Sequence, residues 1–585
     1  MINQPAMPNS RTSLISGERV AFFLVILLAM AYKSNDALSN PQFWAEDATV
    51  FFKEQFGTSL PQVFTPYAGY LHFIPRLVAW FASWLPVVKA PLIYNASAIL
   101  LTTAAIVVTC RRMRPFVPVW IVALSFLAVP TSGEILGTIT NAQWFLQFPL
   151  AALCLTPYQP ARGWMVWLRP LTVLAISLTG PFSVVLALVI AGLLSASYVA
   201  RTTKRDPFNG ALGNFAATRD WTALAALCVG AIVQAAVVVT HPAGEAVEHQ
   251  NLLILLKITF GELVPIHAFG GSFLSPTLWL LMFAVIVGTL TFSNKIEGRS
   301  RLIVLGFFAF AAAETFAPVR LRDFSPLYQF LLADRYFYLI KVVLWWMVWL
   351  SLSSVTRRSR LNATIATTAL LCMVAVTNQQ YLRRPTFVEF DWRHHASLLG
   401  TPGSHTVPLN PQGWGVIIDS KASEGGVTDA AATPAAPPTP APAPTPAITD
   451  NQAQKLDGDL KAADRDTIKC RLDLASGSPA TGSVVVHRRE GASFEGWAFE
   501  PGQAALADAQ LVFQGTAGSY LAKVKGGAAR PDVASAFGPE QANAGFTTVV
   551  DISSVAAGEY ALWLATGTGE ADKACDLQSS IRIED

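Results

Sequence analysis

Two adjacent acidic residues, Glu46 and Asp47, lie in the aromatic sequence FWAEDA at positions 43–48. Apolar surroundings raise the pKa of a carboxyl group and make its anion a better proton acceptor, so the pair is a candidate for acid–base catalysis. A solvated acidic loop without chemistry is the alternative. The sequence downstream favours a function, because four of its side chains can contact a polar substrate: Tyr67, Tyr70, His72 and Arg76.

The composition of the whole chain indicates what must position these residues. Of 585 residues, 52% are hydrophobic and 14% are charged, whereas soluble domains average about 25% charged residues. The net charge is +3, from 42 Lys and Arg against 39 Asp and Glu, and the mean hydropathy is +0.40. These values exclude a disordered chain, a typical nucleic-acid-binding protein and a small disulfide-stabilised protein. They predict a polytopic α-helical membrane protein that carries a soluble region.

A membrane-spanning helix needs about 20 mostly apolar residues, and the sequence contains about eleven candidate segments. The weakest candidate is Leu171–Thr179, because Gly180 and Pro181 interrupt it. The predicted spans are Val20–Ala31, Leu92–Thr109, Phe116–Pro130, Trp144–Thr156, Leu171–Thr179, Phe182–Val199, Trp221–Thr240, Thr277–Phe292, Leu302–Ala317, Phe337–Leu352 and Asn362–Thr377.

The charges of the loops predict the orientation. With about eleven spans, all the basic loops fall on one side, which the positive-inside rule makes cytoplasmic. The tail at residues 1–18 is then cytoplasmic and the C-terminus is outside. The opposite loops, at 33–89, 241–276 and 318–334, are longer and are the expected place of function. The basic clusters lie at Arg111, Arg112 and Arg114; Arg162 and Arg169; Arg201, Lys204, Arg205 and Arg219; Lys295, Arg299 and Arg301; and Arg357, Arg358 and Arg360.

The middle outer loop contains three histidines near three glutamates, but no HExxH or CxxC spacing joins them into a metal site. An interfacial segment at Phe260–Phe273 is the preferred interpretation of this loop. No metal-binding residue is therefore assigned, and a divalent metal ion stays open as a cofactor. The residues are His241, His249 and His267, with Glu245, Glu248 and Glu262.

The last third of the chain has a different composition. Residues 431–447 are only Ala, Pro and Thr, which favours an extended polyproline spacer of about 50 Å. Alternating polar and apolar residues after it predict about seven short strands and a β-sandwich. Cys470 and Cys575 lie near its two ends and are expected to form a disulfide in an oxidising compartment. Trp497 is a candidate for stacking on a sugar, and a core position is the alternative.

A chain with an acidic pair just after the first of about eleven spans resembles the GT-C superfamily of integral-membrane glycosyltransferases. These enzymes use polyprenyl-phosphate sugars as donors. The strings FWAEDATVFF and FTPYAGYLHFIPR resemble a bacterial subgroup of that superfamily. The resemblance covers residues 18–380 in topology and 43–76 in motif. It implies a GT-C-like transmembrane catalytic domain at 19–380, a periplasmic connector with the Ala/Pro/Thr-rich linker at 381–450, and a periplasmic β-sandwich domain at 451–585.

The resemblance also implies roles for the acidic pair. One residue would act as the general base that takes the proton from an acceptor hydroxyl, with inversion at the anomeric carbon. Asp47 is the expected base, and Glu46 would orient the acceptor or a metal ion. The order here is Glu-Asp, whereas some members carry Asp-Glu, which leaves the two roles exchangeable.

A second acid in the next outer loop is common in such enzymes, and Glu134 matches that position. A carboxylate, two amides and an indole suit sugar recognition. Hydrogen bonding at a helix end is the alternative explanation for the amides. The expected substrate site therefore adds Glu134, Asn141, Gln143 and Trp144 to the four residues of the first loop.

Arginines in the late outer loop break the positive-inside pattern and need another explanation. The resemblance implies that they stabilise the phosphate of the lipid donor as it leaves. Pairing with Asp323 and Asp334 is the alternative. Lys341 lies inside a predicted span, where a charge is costly and usually functional unless it snorkels to the interface. The predicted lipid-phosphate site is Arg320, Arg322, Arg335, Tyr336 and Lys341, with Arg76 as a further candidate.

The sequence thus predicts a glycosyltransferase of the bacterial inner membrane. It would move a sugar from a polyprenyl-phosphate donor to a hydroxyl of an envelope glycan, lipid or protein on the periplasmic side. The lipid bilayer is the other expected partner, and no nucleic acid is expected. A glycan polymerase or ligase with a diphosphate-linked donor is the alternative. A transporter fits less well, because the charges cluster at the membrane edges.

Overall fold

The computed structural model of the chain divides into two units, Met1–Glu424 and Gly425–Asp585. The first unit is helical and the second is β-rich. The described residues are 17–160, 163–242, 251–269, 275–321, 325–355, 359–412, 414–420, 451–456, 468–475, 478–479, 483–488, 492–500, 509–528, 530, 533, 537, 539–541, 543–566 and 573–584.

Sixteen α-helices form most of the described part of the first unit, with two π-helical segments at Asp47–Phe52 and Ile258–Leu263. The helices are α1 (Gly17–Lys33), α2 (Lys53–Gln55), α3 (Phe73–Ala82), α4 (Ala90–Met113), α5 (Val119–Ala128), α6 (Gln143–Leu155), α7 (Met165–Ser177), α8 (Phe182–Thr203), α9 (Trp221–Thr240), α10 (Leu252–Lys257), α11 (Val264–Phe269), α12 (Pro276–Phe292), α13 (Gly298–Leu321), α14 (Arg335–Val355), α15 (Ser359–Thr377) and α16 (Trp392–Leu398).

Seven helices within the described residues are long and apolar enough to cross a membrane. Six of them coincide with predicted spans. The seventh, Leu252–Phe269, lies where the sequence predicted an outer loop. The other five predicted spans correspond to α1, α5, α6, α7 and α12, which have 10 to 17 residues each. The seven are Val87–Met113, Phe182–Thr203, Trp221–Thr240, Leu252–Phe269, Gly298–Arg320, Arg335–Val355 and Arg360–Thr377.

Helix α6 is buried on every side. All 13 of its residues are buried, and it packs against α4, α7, α8, α13 and α14. Its sequence, QWFLQFPLAALCL, is apolar around the whole circumference, which is typical of a helix surrounded by others. Pro149 removes one backbone hydrogen bond within it, as helices buried in membrane proteins tolerate. Because α6 has no exposed face, it is a fixed support for the loops at its two ends.

Residues 381–412 and 414–420, which the sequence predicts as part of a connector, belong to the first unit and pack against its earlier segments. Strands β3 (Gly403–Leu409) and β4 (Trp414–Ser420) form an antiparallel hairpin, and its apolar residues share one hydrophobic cluster with Phe43 and Tyr94. The backbone N–H of Ala45 donates to the carbonyl of Asn410 (2.5 Å). The chain after the last long helix therefore returns to the segment that carries the acidic pair.

The second unit contains two sheets. Residues from both sheets belong to one hydrophobic cluster, which includes Leu472, Phe494, Leu511 and Leu562. The strands are β5 (Gln454–Leu456), β6 (Lys469–Ala475), β7 (Ser478–Pro479), β8 (Ser483–His487), β9 (Ala492–Phe499), β10 (Ala509–Gly515), β11 (Gly518–Lys523), β12 (Lys525–Ala528), β13 (Gly545–Val550), β14 (Gly558–Thr566) and β15 (Lys573–Glu584). The six-stranded sheet has the order β5-β11-β10-β14-β15-β8 and the five-stranded sheet the order β12-β13-β9-β6-β7.

A disulfide connects the two sheets of the second unit. Cys470 in β6 and Cys575 in β15 are bonded, with a Cα–Cα distance of 6.2 Å. Trp497 in β9 lies in a small aromatic cluster, where its ring centroid is 5.8 Å from that of Phe499 and 5.4 Å from that of Phe537. The indole is partly buried by these neighbours.

We call residues 381–412 and 414–420 the returning segment. Trp392 fixes this segment to the rest of the first unit, and its loss should loosen the segment. Its ring lies 4.9 Å from Phe43 and 5.6 Å from Phe52, and its Nε1–H donates to the carbonyl of Val88 (3.1 Å). We expect Trp392→Ala to lower the free energy of unfolding by roughly 3–5 kcal/mol, because it leaves a cavity and an unpaired carbonyl. Thermal unfolding and limited proteolysis of the detergent-purified protein measure this.

A matched control lies in the same segment. Trp414 begins β4 and is 42% exposed, so Trp414→Ala should change the melting temperature little. Equal destabilisation by the two substitutions, or unchanged proteolysis at residues 384–420 in Trp392→Ala, would contradict the anchoring role.

Candidate functional site

Asp47 is the first residue of the π-helical segment Asp47–Phe52, which continues into α2. Aromatic packing holds the segment, because the ring centroid of Phe43 is 4.9 Å from that of Phe52 and 5.1 Å from that of Tyr94. Single π-helical turns are rare and frequently occur at functional sites. The acidic pair therefore lies at the start of an irregular but tightly packed segment.

The carboxylate of Asp47 is fully buried and joins this segment to α6. Its Oδ1 accepts hydrogen bonds from the backbone N–H of Thr140 (2.8 Å) and from the Thr140 hydroxyl (2.5 Å), and its Oδ2 accepts one from the backbone N–H of Ile139 (3.1 Å). These donors belong to the turn that leads into α6. A negative charge at a helix N-terminus is favourable, so the position suits a carboxylate.

Burial raises the pKa of Asp47 to about 7. That value includes the hydrogen bonds from Thr140 and Ile139, which lower the pKa without cancelling the effect of burial, and the neighbouring charge of Glu46, which adds to the rise. Asp47 can therefore gain or lose a proton near neutral pH. Three donors occupy its oxygens and no part of the residue is accessible, so a substrate does not reach it directly in this structure.

Glu46 differs from Asp47 in burial and in hydrogen bonding. It is half-buried, and its side chain makes no hydrogen bond or ion pair with any residue in the described part of the chain. Its charge is near enough to act on both Asp47 and Glu134, and it raises the pKa of each. We call Glu46, Asp47 and Glu134 the acidic cluster. Glu46 is the member of this cluster whose carboxylate has neither a hydrogen bond nor an ion pair among the described residues, and its charge also acts on Arg335.

Glu134 lies in the loop between α5 and α6 and forms an ion pair. Its Oε2 is 2.8 Å from Nη1 of Arg335. Burial raises the pKa of Glu134, the positive charge of Arg335 opposes that rise, and the negative charges of Asp334 and Glu46 add to it. The guanidinium of Arg335 also lies 5.2 Å from the ring centroid of Tyr336. The pair places one cation and one anion beside Glu46.

Gly133 gives the loop its shape. It has a φ of +88°, and a Cβ there would lie 2.8 Å from the Cα of Arg384. Glycine is the residue that adopts this conformation without steric cost, and here the neighbouring backbone also leaves no room for a side chain. The position of Glu134 therefore depends on close packing against the returning segment.

The four predicted residues of the first loop form a second group, which we call the hairpin cluster: Tyr67, Tyr70, His72 and Arg76. Strands β1 (Pro66–Tyr67) and β2 (Tyr70–Leu71) make a two-residue hairpin, and the ring of His72 stacks on that of Tyr70 with centroids 4.4 Å apart. Gln234 of α9 holds the hairpin from the side, because its Oε1 accepts the backbone N–H of Leu71 (2.9 Å).

His72 and Arg76 are buried and incompletely hydrogen-bonded. Burial, together with the nearby charge of Arg76, lowers the pKa of His72 to about 3. Nη1 of Arg76 is 2.7 Å from a carboxylate oxygen of Glu54, whereas its Nε and Nη2 have no hydrogen-bond partner among the described residues. A buried guanidinium with two free donor nitrogens can bind an anion or a ligand oxygen.

Tyr94 connects the two groups, although the sequence did not single it out. Its hydroxyl is fully buried without a hydrogen-bond partner among the described residues, and it lies in the field of both Asp47 and Arg76. It was missed because it lies in α4, within an otherwise apolar predicted span. An unsatisfied hydroxyl between a buried acid and a buried cation is a polar feature that packing alone does not explain.

The residues expected for sugar recognition have mixed environments. The amide of Asn141 donates to the carbonyl of Glu134 (3.0 Å) and to Thr138 (3.2 Å), so it hydrogen-bonds its own loop. Oε1 of Gln143 is buried and has no partner within the described residues. The ring centroid of Trp144 is 5.3 Å from that of Tyr336, which places the indole beside the Arg335 end of the cluster.

The predicted lipid-phosphate residues are not equivalent. Arg320 is half-buried near the end of α13, and Arg335 pairs with Glu134. Lys341 is buried, forms an ion pair with Asp334, and donates to the carbonyl of Pro130 (2.7 Å), so its ammonium group is already occupied. Asp334 therefore pairs with Lys341, whereas the sequence offered it as a partner for the arginines. Arg322 lies outside the described residues.

No group of three or more His, Cys, Asp and Glu side chains that could hold a metal ion occurs among the described residues. His267 is buried between the carbonyl of Leu327 (2.9 Å) and Asp334 (3.6 Å between Nδ1 and Oδ1). His241 is exposed at the end of α9. His249, Glu245 and Glu248 lie outside the described residues.

No protein-family model matches this chain, and no curated protein matches it.

The raised pKa of Asp47 predicts a specific pH dependence of stability. An aspartyl group ordinarily titrates near pH 4, so between about pH 4 and pH 7 the unfolded chain is ionised while the folded protein keeps the proton. The free energy of unfolding should therefore fall as the pH rises through this range. Asp47→Asn cannot ionise and should lack that component. Melting temperatures of both proteins between pH 4 and pH 8 measure it.

The test depends on the difference in melting temperature between wild type and Asp47→Asn at each pH, because His72 also titrates in both proteins. Burial lowers the pKa of His72, so its contribution to stability increases as the pH rises from about 3 to about 6.5 in both proteins alike. A difference in melting temperature that does not change with pH would contradict the raised pKa of Asp47.

Proposed function

We propose that this chain is a membrane glycosyltransferase that uses a polyprenyl-phosphate sugar as its donor and acts at the end of the helices that carries the acidic cluster. The observation that carries the proposal is Glu46: a half-buried carboxylate with no hydrogen bond or ion pair among the described residues, beside an anchored acid and an arginine ion pair. That arrangement is what proton abstraction next to an anionic leaving group requires.

In the proposed reaction Glu46 is the base. Its carboxylate takes the proton of an acceptor hydroxyl, the hydroxyl oxygen forms a bond to the anomeric carbon, and the bond from that carbon to the phosphate oxygen breaks. The electron pair leaves with the lipid phosphate, and attack from the opposite face inverts the configuration. Asp47 positions the segment through Thr140 and Ile139. This exchanges the two roles expected from the resemblance, because the exposure of the residues favours Glu46.

The leaving phosphate needs cations. Arg335 is the best-placed candidate, because its ion pair with Glu134 brings it to the acidic cluster, and Arg320 lies near the end of the adjacent helix α13. Thr315, five residues before Arg320, donates to the carbonyl of Tyr336 (3.1 Å), which places these two helix ends together. A phosphate would then compete with Glu134 for Arg335, and Glu134 would be released to hydrogen-bond the sugar.

The location follows the predicted orientation. The acidic cluster would face the periplasm of a bacterial inner membrane, and the acceptor would be an envelope glycan, lipid or protein. The two sheets of the second unit would form a periplasmic β-sandwich, in which the partly buried Trp497 offers a face for a sugar ring.

A transporter is a second candidate, and one observation favours it. Asp334, Lys341 and His267 form a buried ionisable group, and Glu314 of α13 is buried with an unpartnered Oε1 within the described residues. Ionisable residues inside membrane helices commonly mark proton or substrate pathways. A transporter does not need Glu46 as a base, which separates the two candidates experimentally.

The central test replaces Glu46. In the source bacterium, deletion of the chain should remove a pentose or hexose increment from the mass of an envelope glycan, lipid or surface protein. Wild type should restore the increment, and Glu46→Gln should lower transfer roughly 10²- to 10⁴-fold, the range for loss of a general base. Mass spectrometry of the envelope fractions measures it, with protein level and melting temperature recorded for each variant.

Glu18→Gln is the charge-matched control, because Glu18 is exposed in the first turn of α1, and it should restore the increment fully. Purified protein supplied with monophosphate-linked or diphosphate-linked donors separates a transferase from a polymerase or ligase. Near-normal transfer by Glu46→Gln would refute the assigned base, and an unchanged envelope after deletion would refute the glycosyltransferase.

A further inference from the structure

A large cavity lies at the opposite end of α6 from the acidic cluster. Its volume is about 560 Å³, and it is formed by the C-terminal end of α4, the chain after α6, and the N-terminal ends of α7 and α9. The thirteen residues of α6 separate it from the acidic cluster by about 20 Å, at 1.5 Å per residue. The cavity is therefore independent of the candidate active site.

Four arginines converge on this cavity: Arg111, Arg112, Arg169 and Arg219. The one acidic residue in the lining is Asp220, so the side chains around the space carry three more positive than negative charges. All of these residues lie in the described part of the chain. The guanidinium groups around this space repel one another, and an anion bound among them would offset that repulsion.

The protein uses some of the arginines structurally, but not all of them. Arg219 donates to the carbonyl of Leu155 at the end of α6. Just after it, Arg112 donates to the hydroxyl of Thr156 (2.6 and 2.9 Å) and to the carbonyl of Pro157 (2.7 Å). These contacts cap α6, where positive charge is favourable. Arg112 and Arg219 thus place two positive charges at the C-terminal end of α6. Arg169 adds a third positive charge to the lining of the same cavity.

Arg169 is held by Asp220, with 2.6 Å between its Nη1 and the carboxylate. The same carboxylate also accepts the backbone N–H groups of Thr222 (3.1 Å) and Ala223 (3.2 Å), so it serves as the N-cap of α9. Asp220 is thus committed to two structural contacts. Arg111 is exposed and has no partner among the described residues. Its guanidinium is the one most available to a ligand.

The rim of the cavity is amphipathic. Trp221 lines it and is 58% exposed, and Trp167 next to the lining residue Leu168 is 67% exposed. Tryptophans that expose an indole beside basic residues at helix ends are typical of the membrane–water interface. Val108 and Leu153 give the wall of the cavity an apolar portion. A ligand that fits combines an anionic group with an apolar part.

We propose that this cavity binds the phosphate of an anionic phospholipid headgroup, with Arg111 contacting the phosphate and the apolar wall contacting the glycerol and first acyl carbons. Guanidinium groups match phosphate oxygens in geometry and charge. A basic pocket between helix ends on the side predicted to be cytoplasmic is where anionic headgroups are recognised in membrane proteins. The lipid would stabilise the junction of α4, α6, α7 and α9.

The test uses the full chain, purified in a non-ionic detergent. Short-chain phosphatidylglycerol, short-chain phosphatidylcholine and inorganic phosphate are titrated separately, and binding is followed by native mass spectrometry and by the melting temperature. We expect phosphatidylglycerol to bind and to raise the melting temperature. Arg111→Gln should weaken its binding about fivefold, and Arg111→Glu more, because each basic residue near an anionic headgroup contributes at that level.

Arg114→Gln is the matched control, because Arg114 is an exposed arginine three residues further along and does not line the cavity. It removes the same charge and should leave binding unchanged. Equal weakening in Arg111→Gln and Arg114→Gln, or equal binding of phosphatidylcholine and phosphatidylglycerol, would overturn the proposal. Inorganic phosphate that binds alone and displaces phosphatidylglycerol at equal concentration would overturn the lipid as the ligand and assign the site to free phosphate.

Discussion

The candidate site depends on one buried carboxylate. Asp47 reaches from the segment after α1 to the turn before α6, and its two oxygens accept hydrogen bonds from Ile139 and Thr140. A carboxylate removed from water has to be satisfied by such donors, so the two chain segments cannot separate without a large cost. The contact fixes Glu46 on one side and the Glu134 loop on the other. The positions of both acids relative to Arg335 follow from it.

A second set of contacts joins the end of α1, which precedes the acidic pair, to the end of α5 and to the chain after α15. Lys33, the last residue of α1, donates to the carbonyls of Leu127 (2.9 Å) and Leu382 (2.6 Å), and Arg384 pairs with Asp36 (2.9 Å). The ends of α1, α5 and α15 are thereby tied together. The geometry of the site therefore depends on chain that follows the last long helix, and an intact helical bundle alone would not reproduce it.

Particular residues show how far the sequence could predict this arrangement. The acidic pair was identifiable because two adjacent carboxylates in an aromatic run are unusual, but which one is buried depends on its pairing with residues 139 and 140, about ninety positions away. The ion pair of Lys341 with Asp334 spans two helical turns and was readable in principle from that spacing. Tyr94 was not readable, because nothing in an apolar helix distinguishes a packed tyrosine from a functional one.

Two segments show a related difference between sequence and structure. Residues 252–269 lie in a predicted outer loop that contains His267 and Glu262, yet they form a membrane-length helix. Inside the fold, Nε2 of His267 bonds the carbonyl of Leu327, and its Nδ1 lies 3.6 Å from a carboxylate oxygen of Asp334. The sequence predicts a connector at 381–450, and the described residues 381–412 and 414–420 contact earlier parts of the first unit. Arg384 bonds Asp36, and the apolar residues Val407 and Ile418 share a cluster with Phe43. Local composition cannot show that a partner elsewhere in the chain satisfies a polar group.

The lengths of α5 and α6 have a consequence for access. Ten and thirteen residues rise about 15 and 20 Å, whereas the hydrocarbon layer of a bilayer is about 30 Å thick. If the arginine-rich end of α6 lies at one membrane surface, the loop that carries Glu134 stops about 10 Å below the other. Glu46 would then lie below the level of the headgroups. Under the proposed function, a lipid-borne substrate would reach that depth from its own leaflet, whereas a water-soluble partner would have to extend a narrow group down to it.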